Sequence, residues 1–291
     1  MGRMRAALLA AGVLCSAPGG LAAESQSPEV DARAIVVKAL ERAARNVEEG
    51  VELRYRSRMS REVRRYDGDG QVEEMNAGDY EVVPIDGARY ERRLTVDGRP
   101  LNAREQEGER RREADVREAR RRAREAGGDE DEPDDDEIVF DEALIGRYDV
   151  AFEAEEVFRG RPTYRISFEP RPGRLPVRRR IDHALNKARG QIWIDKETYE
   201  AARVEFELID RVRLWWGLLG HIQQARGSLD RGPVAGDLWG YLQLETYSDV
   251  RVVFRRRRRA DLRRWHDHEL LSPPAQESPA GEAPGASAGV R

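Results

Sequence analysis

Cysteine is nearly absent from this sequence. Cys15 is the only one in 291 residues and it lies in the N-terminal leader, so a chain cleaved beyond it holds no thiol and no disulfide. Long apolar runs are missing too. The run 6–14 is too short to span a bilayer and no other stretch approaches about eighteen apolar residues, so a soluble, not transmembrane, chain is expected. Histidines number four. His266 and His268 flank Asp267, but neighbours on a strand point to opposite sides and no third ligand is evident, so a solvent-exposed C-terminal segment is expected and no metal. His183 and His221 stand alone, without a partner for nucleophilic or acid–base work. There is no Gly-rich phosphate loop, no nucleophile elbow and no paired-His zinc helix, so no enzyme and no cofactor is expected. Asp67 and Asp69 read as a plain turn, because the downstream ligands of a calcium loop are missing.

What the chain has in quantity is charge: 36% charged residues against 39% hydrophobic, with a net charge of only −4 because the two signs are segregated into blocks. The leader carries Arg3 and Arg5, the apolar run 6–14 and then small residues to Ala22 and Ala23, the layout of a secretory signal peptide (1–23) cleaved near Ala22 to Glu24. Leu14 is bulky where lipidation of Cys15 favours a small residue, so simple cleavage into the periplasm is expected, with an outer-membrane lipoprotein as the alternative. The remaining chain is long enough for one large β domain or two ordinary ones.

Ser27, Pro28 and Glu29 read as a helix start, and Val30, Ala34, Val37, Leu40, Ala44 and Val47 continue it as an amphipathic helix to about Asn46, ended by Gly50. Val51, Leu53 and Tyr55 then alternate with charged residues as a strand would. Short strands and turns follow to Asp97-Gly98 as one meander. From Asn102 to Ala126 the pattern becomes Arg, Glu and Ala with almost no apolar stripe, begun by Asn102 and Glu105 at capping-box spacing: an exposed helix held by i,i+4 charge pairs. The acidic stretch 129–137 repels itself and reads as disordered. Residues 102–137 are thus read as a solvated insertion between strands, and 272–291, rich in Pro, Ala, Gly and Ser, as a disordered tail.

Two hairpins carry the apolar pattern. In the first, Tyr148, Val150 and Phe152 alternate with charged residues, the chain turns at Arg159-Gly160, and Tyr164, Ile166 and Phe168 alternate again. In the second, Ile192 and Ile194 precede the turn Lys196-Glu197-Thr198, and Ala202, Val204, Phe206 and Leu208 follow it at period two. The link 171–189 reads as a mobile cationic loop at the sheet edge. Trp215 and Trp216, beside Gly217, fit either a ligand site or a packed core strand. Arginines 255–259 could meet lipid headgroups or glycans after export, though a charged edge strand that resists pairing is the favoured reading.

The run from Leu185 to Lys196, Leu-Asn-Lys-Ala-Arg-Gly-Gln-Ile-Trp-Ile-Asp-Lys, preceded by Gly160-Arg161-Pro162-Thr163-Tyr164-Arg165-Ile166-Ser167-Phe168, resembles the LolA/LolB-like lipoprotein-carrier superfamily and its outer-membrane lipoprotein-sorting-like members. The resemblance covers roughly 51–264, best over 147–210. It implies an α+β fold, a half-open antiparallel β-barrel spanning 24–271 with an N-terminal helix and the charged insertion, and a concave apolar face for acyl chains. On that basis Tyr148, Val150, Phe152, Tyr164, Ile166, Phe168, Ile192, Ile194, Val204, Phe206 and Leu208, with Trp215 and Trp216, are the candidate ligand-binding residues. The expected function is a non-enzymatic periplasmic carrier of lipid or acylated lipoprotein cargo in outer-membrane biogenesis, with an envelope partner protein and no nucleic acid. The alternative is a structural or sensory envelope module of the same fold without lipid cargo.

Overall fold

Asp31 accepts a hydrogen bond from Ala34 N at 3.0 Å and so caps the first helix, α1 (Ala32–Glu48), satisfying one of the amides that a helix start leaves free. The computed structural model describes residues 30–125, 141–214, 220–252 and 255–271, and the architecture is that of the unit beginning at Asp31. The helix thus starts later than expected: Val30 precedes it and Asp31, not Ser27, caps it, while Ser27 and Pro28 lie outside the described residues, as do the leader, the acidic stretch 129–137 and the tail 272–291. Gly50, at φ 59°, ends α1 in the left-handed region that glycine enters without cost.

That glycine also overturns an expectation. Val51, Leu53 and Tyr55 alternate as a strand would, but the left-handed turn sends 51–53 into a 3-10 turn in which Leu53 N bonds Gly50 O and Arg54 N bonds Val51 O. The first strand, β1 (Tyr55–Tyr66), begins only afterwards. Then come β2 (Val72–Ile85), β3 (Ala88–Arg93), the small pair β4 (Thr95–Val96) and β5 (Arg99–Pro100), the charged helix α2 (Ala103–Glu125), α3 (Glu142–Ile145) and the hairpin β6 (Tyr148–Phe158) and β7 (Arg161–Pro170). The short α4 (Asp182–Leu185) precedes the hairpin β8 (Ala188–Asp195) and β9 (Ala201–Leu208). The chain finishes with β10 (Val212–Leu214), β11 (Gly220–Ala235), β12 (Leu238–Val252) and β13 (Arg255–Leu270).

All but β4 and β5 join one antiparallel sheet of 11 strands, in the order β3-β2-β1-β13-β12-β11-β9-β8-β7-β6, with β10 beside β11. The path does not close, and β3 and β6 are its two ends. An antiparallel sheet left open, with a helix lying on it, is an α+β half-open barrel. Its chain reversal is the meander that short turns allow, except that β13 returns to lie between β12 and β1. The arginine run 255–259 therefore opens an interior strand paired on both sides, not an edge strand. The charge pattern suggested an edge because such side chains do block edge pairing. Here Asp249 and Asp261 supply the carboxylates that let arginines sit inside a sheet. His266 and Asp267 are exposed as expected, but they lie within the same paired strand, where His268 is half-buried with Nε2 3.1 Å from Tyr241 O.

The true edge at β3 is guarded by α2. An edge strand presents unpaired N–H and C=O groups, a template for another chain. Arg120 donates to the carbonyls of Ile85, Ala88 and Arg89, Arg112 to Glu91 O and Arg124 to Asp86 O, while Glu109 accepts from Arg93 N at 3.2 Å. Arg92 forks onto Glu113, and the Tyr90 hydroxyl donates to Glu109 at 2.8 Å. No residue of α2 is buried, so the helix is exposed as expected. It is nonetheless fastened along the sheet edge and is not a solvated excursion. Its i,i+3 and i,i+4 pairs run from Glu107 to Glu125 as the sequence indicates.

The link 171–189 is likewise held. Asp182, fully buried, accepts from the amides of Arg178 and Arg179 and pairs with Arg147 at 2.8 Å, and Arg147 also donates to Pro176 O and Asn186 Oδ1. Its seven cations suggested a mobile loop. One buried aspartate is enough to order it.

Candidate functional site

Cross-strand partners share a face of a sheet, so the register places the apolar residues. Val150 stands opposite Phe168 and Phe152 opposite Ile166. Tyr164 and Ile166 stand opposite Ile194 and Ile192. Ile192 then meets Val204, Gly190 meets Phe206 and Ala188 meets Leu208. One face of β6 to β9 therefore gathers every described residue predicted from the two hairpins. The stripe continues beyond them through Leu229 opposite Val204 and Leu244 opposite Leu229. Glycine makes the close packing possible: a Cβ on Gly190 would sit 1.8 Å from Glu205 O and 2.7 Å from Phe168 Cζ.

The stripe is covered at one end. Ile166 and Ile194 are 0% exposed, and α1, which buries Ala32, Ile35 and Ala39, packs against β6 and β8. Asp149 and Glu169, opposite one another on the other face of β6 and β7, remain exposed, so the helix lies on the apolar side. Glu200, in the turn between β8 and β9, fastens it: the carboxylate is 2% exposed and accepts from Arg42 at 2.9 Å, Asn46 at 2.8 Å and, on its other oxygen, Arg231 at 2.9 Å. Tyr148 closes the same end, buried edge-on to Phe168 at 5.2 Å, its hydroxyl donating to Leu185 O at 2.7 Å. Burial pushes its phenol up to about 12, so it stays neutral. Val150, Phe152, Tyr164, Phe168, Ile192, Val204, Phe206 and Leu208 are only half-buried. Trp215 and Trp216 lie outside the described residues.

Past Leu244 the same face changes character. Leu244 stands opposite Arg263, and Arg263 opposite Arg61. Asp261 and Arg259 share this face with Val63 and Arg65. Asp261 is held at once by Arg61 Nε at 3.1 Å, Arg259 Nη2 at 3.0 Å and Arg263 Nε at 3.4 Å. Burial raises its carboxyl, but the hydrogen bond from Arg61 and the charge of Arg263 outweigh that and hold it below the usual carboxylate range. A hollow of about 220 Å³ opens beside this cluster, lined by Arg61, Arg65, Arg93, Arg259, Tyr80 and Gly78 among others. A second of about 490 Å³, sharing Arg61, Tyr80 and Arg93, lies between the cluster and α2.

This ionic half was not expected. Its signal was present: arginines at 61 and 65, and again at 259 and 263 around Asp261, recur at even spacing along two strands, the period that puts them on one face. A further hollow, about 690 Å³, is lined mainly from the opposite face by Arg189, Arg226, Glu205, Glu207 and Tyr247, and also by Phe168 and Phe206 of the stripe, beside Gly190 and Gly227. Among the described residues no group of three or more His, Cys, Asp or Glu is placed to hold a metal, and no helix is long and apolar enough to cross a membrane.

No protein-family model matches the chain, and no curated protein matches it. Solved structures similar to it include a DUF1329 family protein from Desulfovibrio piger, 12% identical with a TM-score of 0.30 over 83% of this chain and 95% of that one. A domain described as outer membrane lipoprotein-sorting from Vibrio parahaemolyticus is 12% identical with a TM-score of 0.29, covering 83% and 95%. A LolA superfamily protein from Nitrosomonas europaea is 10% identical with a TM-score of 0.26, covering 84% and 94%.

Proposed function

We propose that this protein is a non-enzymatic periplasmic carrier that takes the hydrocarbon of a lipid or of an acylated protein onto the apolar stripe of β6 to β12. The observation that carries the reading is the contrast within one face: α1 seals Ile166 and Ile194 completely, while the neighbouring stripe from Val150 to Leu208 stays half-buried. A stripe meant only as core would be covered along its length. Burial is worth about 0.8 kcal/mol per methylene, so a chain of roughly sixteen carbons offers on the order of 12 kcal/mol before ordering costs, and no special polar chemistry is required. Export by the 1–23 leader would bring the protein to the compartment where such cargo travels.

The test is direct. The protein is purified from a periplasmic extract, organic-extractable material is analysed by mass spectrometry, and a fluorescent fatty acyl probe is titrated and displaced. Bound acyl chains and saturable probe uptake that Phe206→Asp abolishes are expected. An empty extract together with no uptake removes the carrier reading. It would then favour the second one, a structural or sensory envelope module. One observation supports that alternative independently: α2 covers the β3 edge without burying a residue of its own, so a partner chain could displace it and pair there.

A further inference from the structure

The ionic end of the face is rich in cations and poor in anions. Of the groups lining the 220 Å³ hollow, Arg61, Arg65, Arg93 and Arg259 are cations and Glu74 is the one carboxylate, already held by Arg65. Asp261, beside the hollow, is divided among three guanidiniums. Among the described residues Arg93 forms no ion pair within 4 Å: its Nε donates to Thr95 O at 3.1 Å, its guanidinium lies 5.9 Å from the Tyr80 ring centre, and it acts on Glu105 only from a distance. The glutamates of α2 that face the adjoining hollow, Glu105 and Glu109, are taken by Arg99 and Arg112.

A guanidinium offers five N–H donors in a planar fork, and two carboxylates, Asp261 and the Glu91 that Arg263 also reaches at 3.2 Å, cannot occupy those of three arginines. The surplus donors point to an anion with several oxygens. Gly78 stands opposite Arg61 and lines the hollow without a side chain; the Thr95 carbonyl and Arg93 Nε crowd close over it, 2.8 and 3.5 Å from where a Cβ would be. At about 30 Å³ of liquid volume per water, 220 Å³ is room for roughly seven waters, enough for a tetrahedral oxyanion and part of its hydration. Neighbouring strands lie about 4.8 Å apart, so Arg263 sits one strand beyond Leu244, where the apolar stripe ends, and Arg61 sits two.

We infer that the hollow between Arg61, Arg93 and Arg259 binds a phosphoryl group, and that on this face it receives the headgroup of an anionic amphiphile whose hydrocarbon lies on the stripe from Leu244 to Val150. The second clause rests on the carrier reading; the first does not. The bond pattern is guanidinium to phosphoryl oxygen, charge-assisted and therefore salt-sensitive. A phosphate free in solution satisfies the same chemistry, and the probes separate the two sources.

The purified protein is titrated with dodecyl phosphate, with dodecanol and with inorganic phosphate, below micelle formation and at low and high salt. Dodecyl phosphate is expected to bind at least about tenfold more tightly than dodecanol, the scale of one charge-assisted hydrogen bond. Arg93→Gln, which breaks no ion pair, should remove most of that advantage and leave dodecanol binding unchanged. Arg259→Gln on the half-exposed rim is a second variant with the same expectation, and Arg189→Gln on the opposite face should change nothing. Arginine-dependent binding of inorganic phosphate with no uptake of either alkyl probe would uphold the anion site and remove the hydrocarbon reading. Equal affinity for the two alkyl probes, or an advantage for the phosphate that survives both variants, overturns the proposed site whatever becomes of the carrier.

Discussion

Replacing Glu200 by alanine isolates the fastening of α1. The native carboxylate, 2% exposed, is the acceptor for Arg231, for Asn46 and for Arg42. Removing it strands Arg231, whose side chain is 14% exposed, and Asn46, 7% exposed, without that acceptor in a poorly hydrated place; Arg42, at 28%, can turn to water. Breaking a buried pair by deleting one partner costs about 3–5 kcal/mol, most of it the uncompensated group left behind. The Arg42 share is small because a solvated arm is screened. At about 2–4 °C per kcal/mol for a chain of this size, the melting temperature should fall by roughly 6–20 °C. Urea titrations of the native protein, of Glu200→Ala, of Arg231→Ala and of the double variant measure the shift and close a cycle in which the pair should couple by more than about 1 kcal/mol. Loosening α1 should at the same time raise probe uptake on the stripe it covers. A midpoint change worth less than about 1 kcal/mol, with additive variants, would mean that Glu200 does not anchor the helix and that hydrophobic contact alone seats it.

Gly190→Ala should be far more harmful than an ordinary strand substitution, since its Cβ would fall 1.8 Å from a carbonyl oxygen; a loss at or beyond the usual overpacking limit of about 3 kcal/mol, read from denaturant midpoints, is expected, and tolerance would contradict the β8–β9 register. For Asp182, burial raises the carboxyl but the amides of Arg178 and Arg179 and the Arg147 charge hold it below its usual range, so the stability it adds is complete above the unfolded value near about 4 and drains as pH falls from there through the folded value. Asp182→Asn should therefore cost stability near about pH 7 and flatten the acid dependence below about pH 4; parallel curves for variant and native protein would refute the assignment. Raising ionic strength to about 1 M, where screening acts within about 3 Å, should loosen α2: trypsin cleavage between 103 and 125 and exchange of the Arg93 amide should both rise while the sheet spectrum stays. Neither rising would show that α2 is held by something other than its charges.

Legibility in the sequence followed the range of the signal. Period-two alternation is local, so both apolar hairpins and the members of the stripe could be read from 148–168 and 192–208, and the α2 capping box from Asn102 and Glu105, whose mutual bonds are present at 3.0 and 2.8 Å. What depends on a distant partner could not be read. The arginines 255–259 look like an edge because nothing nearby in sequence shows that β1 lies on one side of them and β12 on the other. Val51 to Leu53 failed for the opposite reason: a single left-handed glycine redirects the chain before alternation can express itself. The ionic cluster needs β1, β2, β3 and β13 side by side, and alternation of charge along one strand is the ordinary mark of a solvated face.

The two guarded places of the sheet are guarded by different means, and the difference bears on function. The apolar stripe is sealed at the α1 end, where Ile35, Ala39, Ile166 and Ile194 are all buried and α1 packs against β6 and β8, and by a carboxylate that water hardly reaches. The β3 edge is covered by a helix with no buried residue, through arginines and Glu109 reaching strand carbonyls and one amide. Buried contacts resist salt and bind their element to the global stability of the sheet; exposed charged contacts do neither, because their strength falls with screening and each replaces a bond that water supplies nearly as well. The α1 end therefore opens only when the sheet itself is destabilised, while α2 can leave the edge with the sheet intact. Movement that responds to the surroundings is accordingly expected at α2, whose Arg112, Glu105 and Glu109 line the 490 Å³ hollow that shares Arg61 and Arg93 with the anion site. A change at the strand edge thus reaches the arginine hollow through shared side chains, whereas α1 meets the face at its far, apolar end.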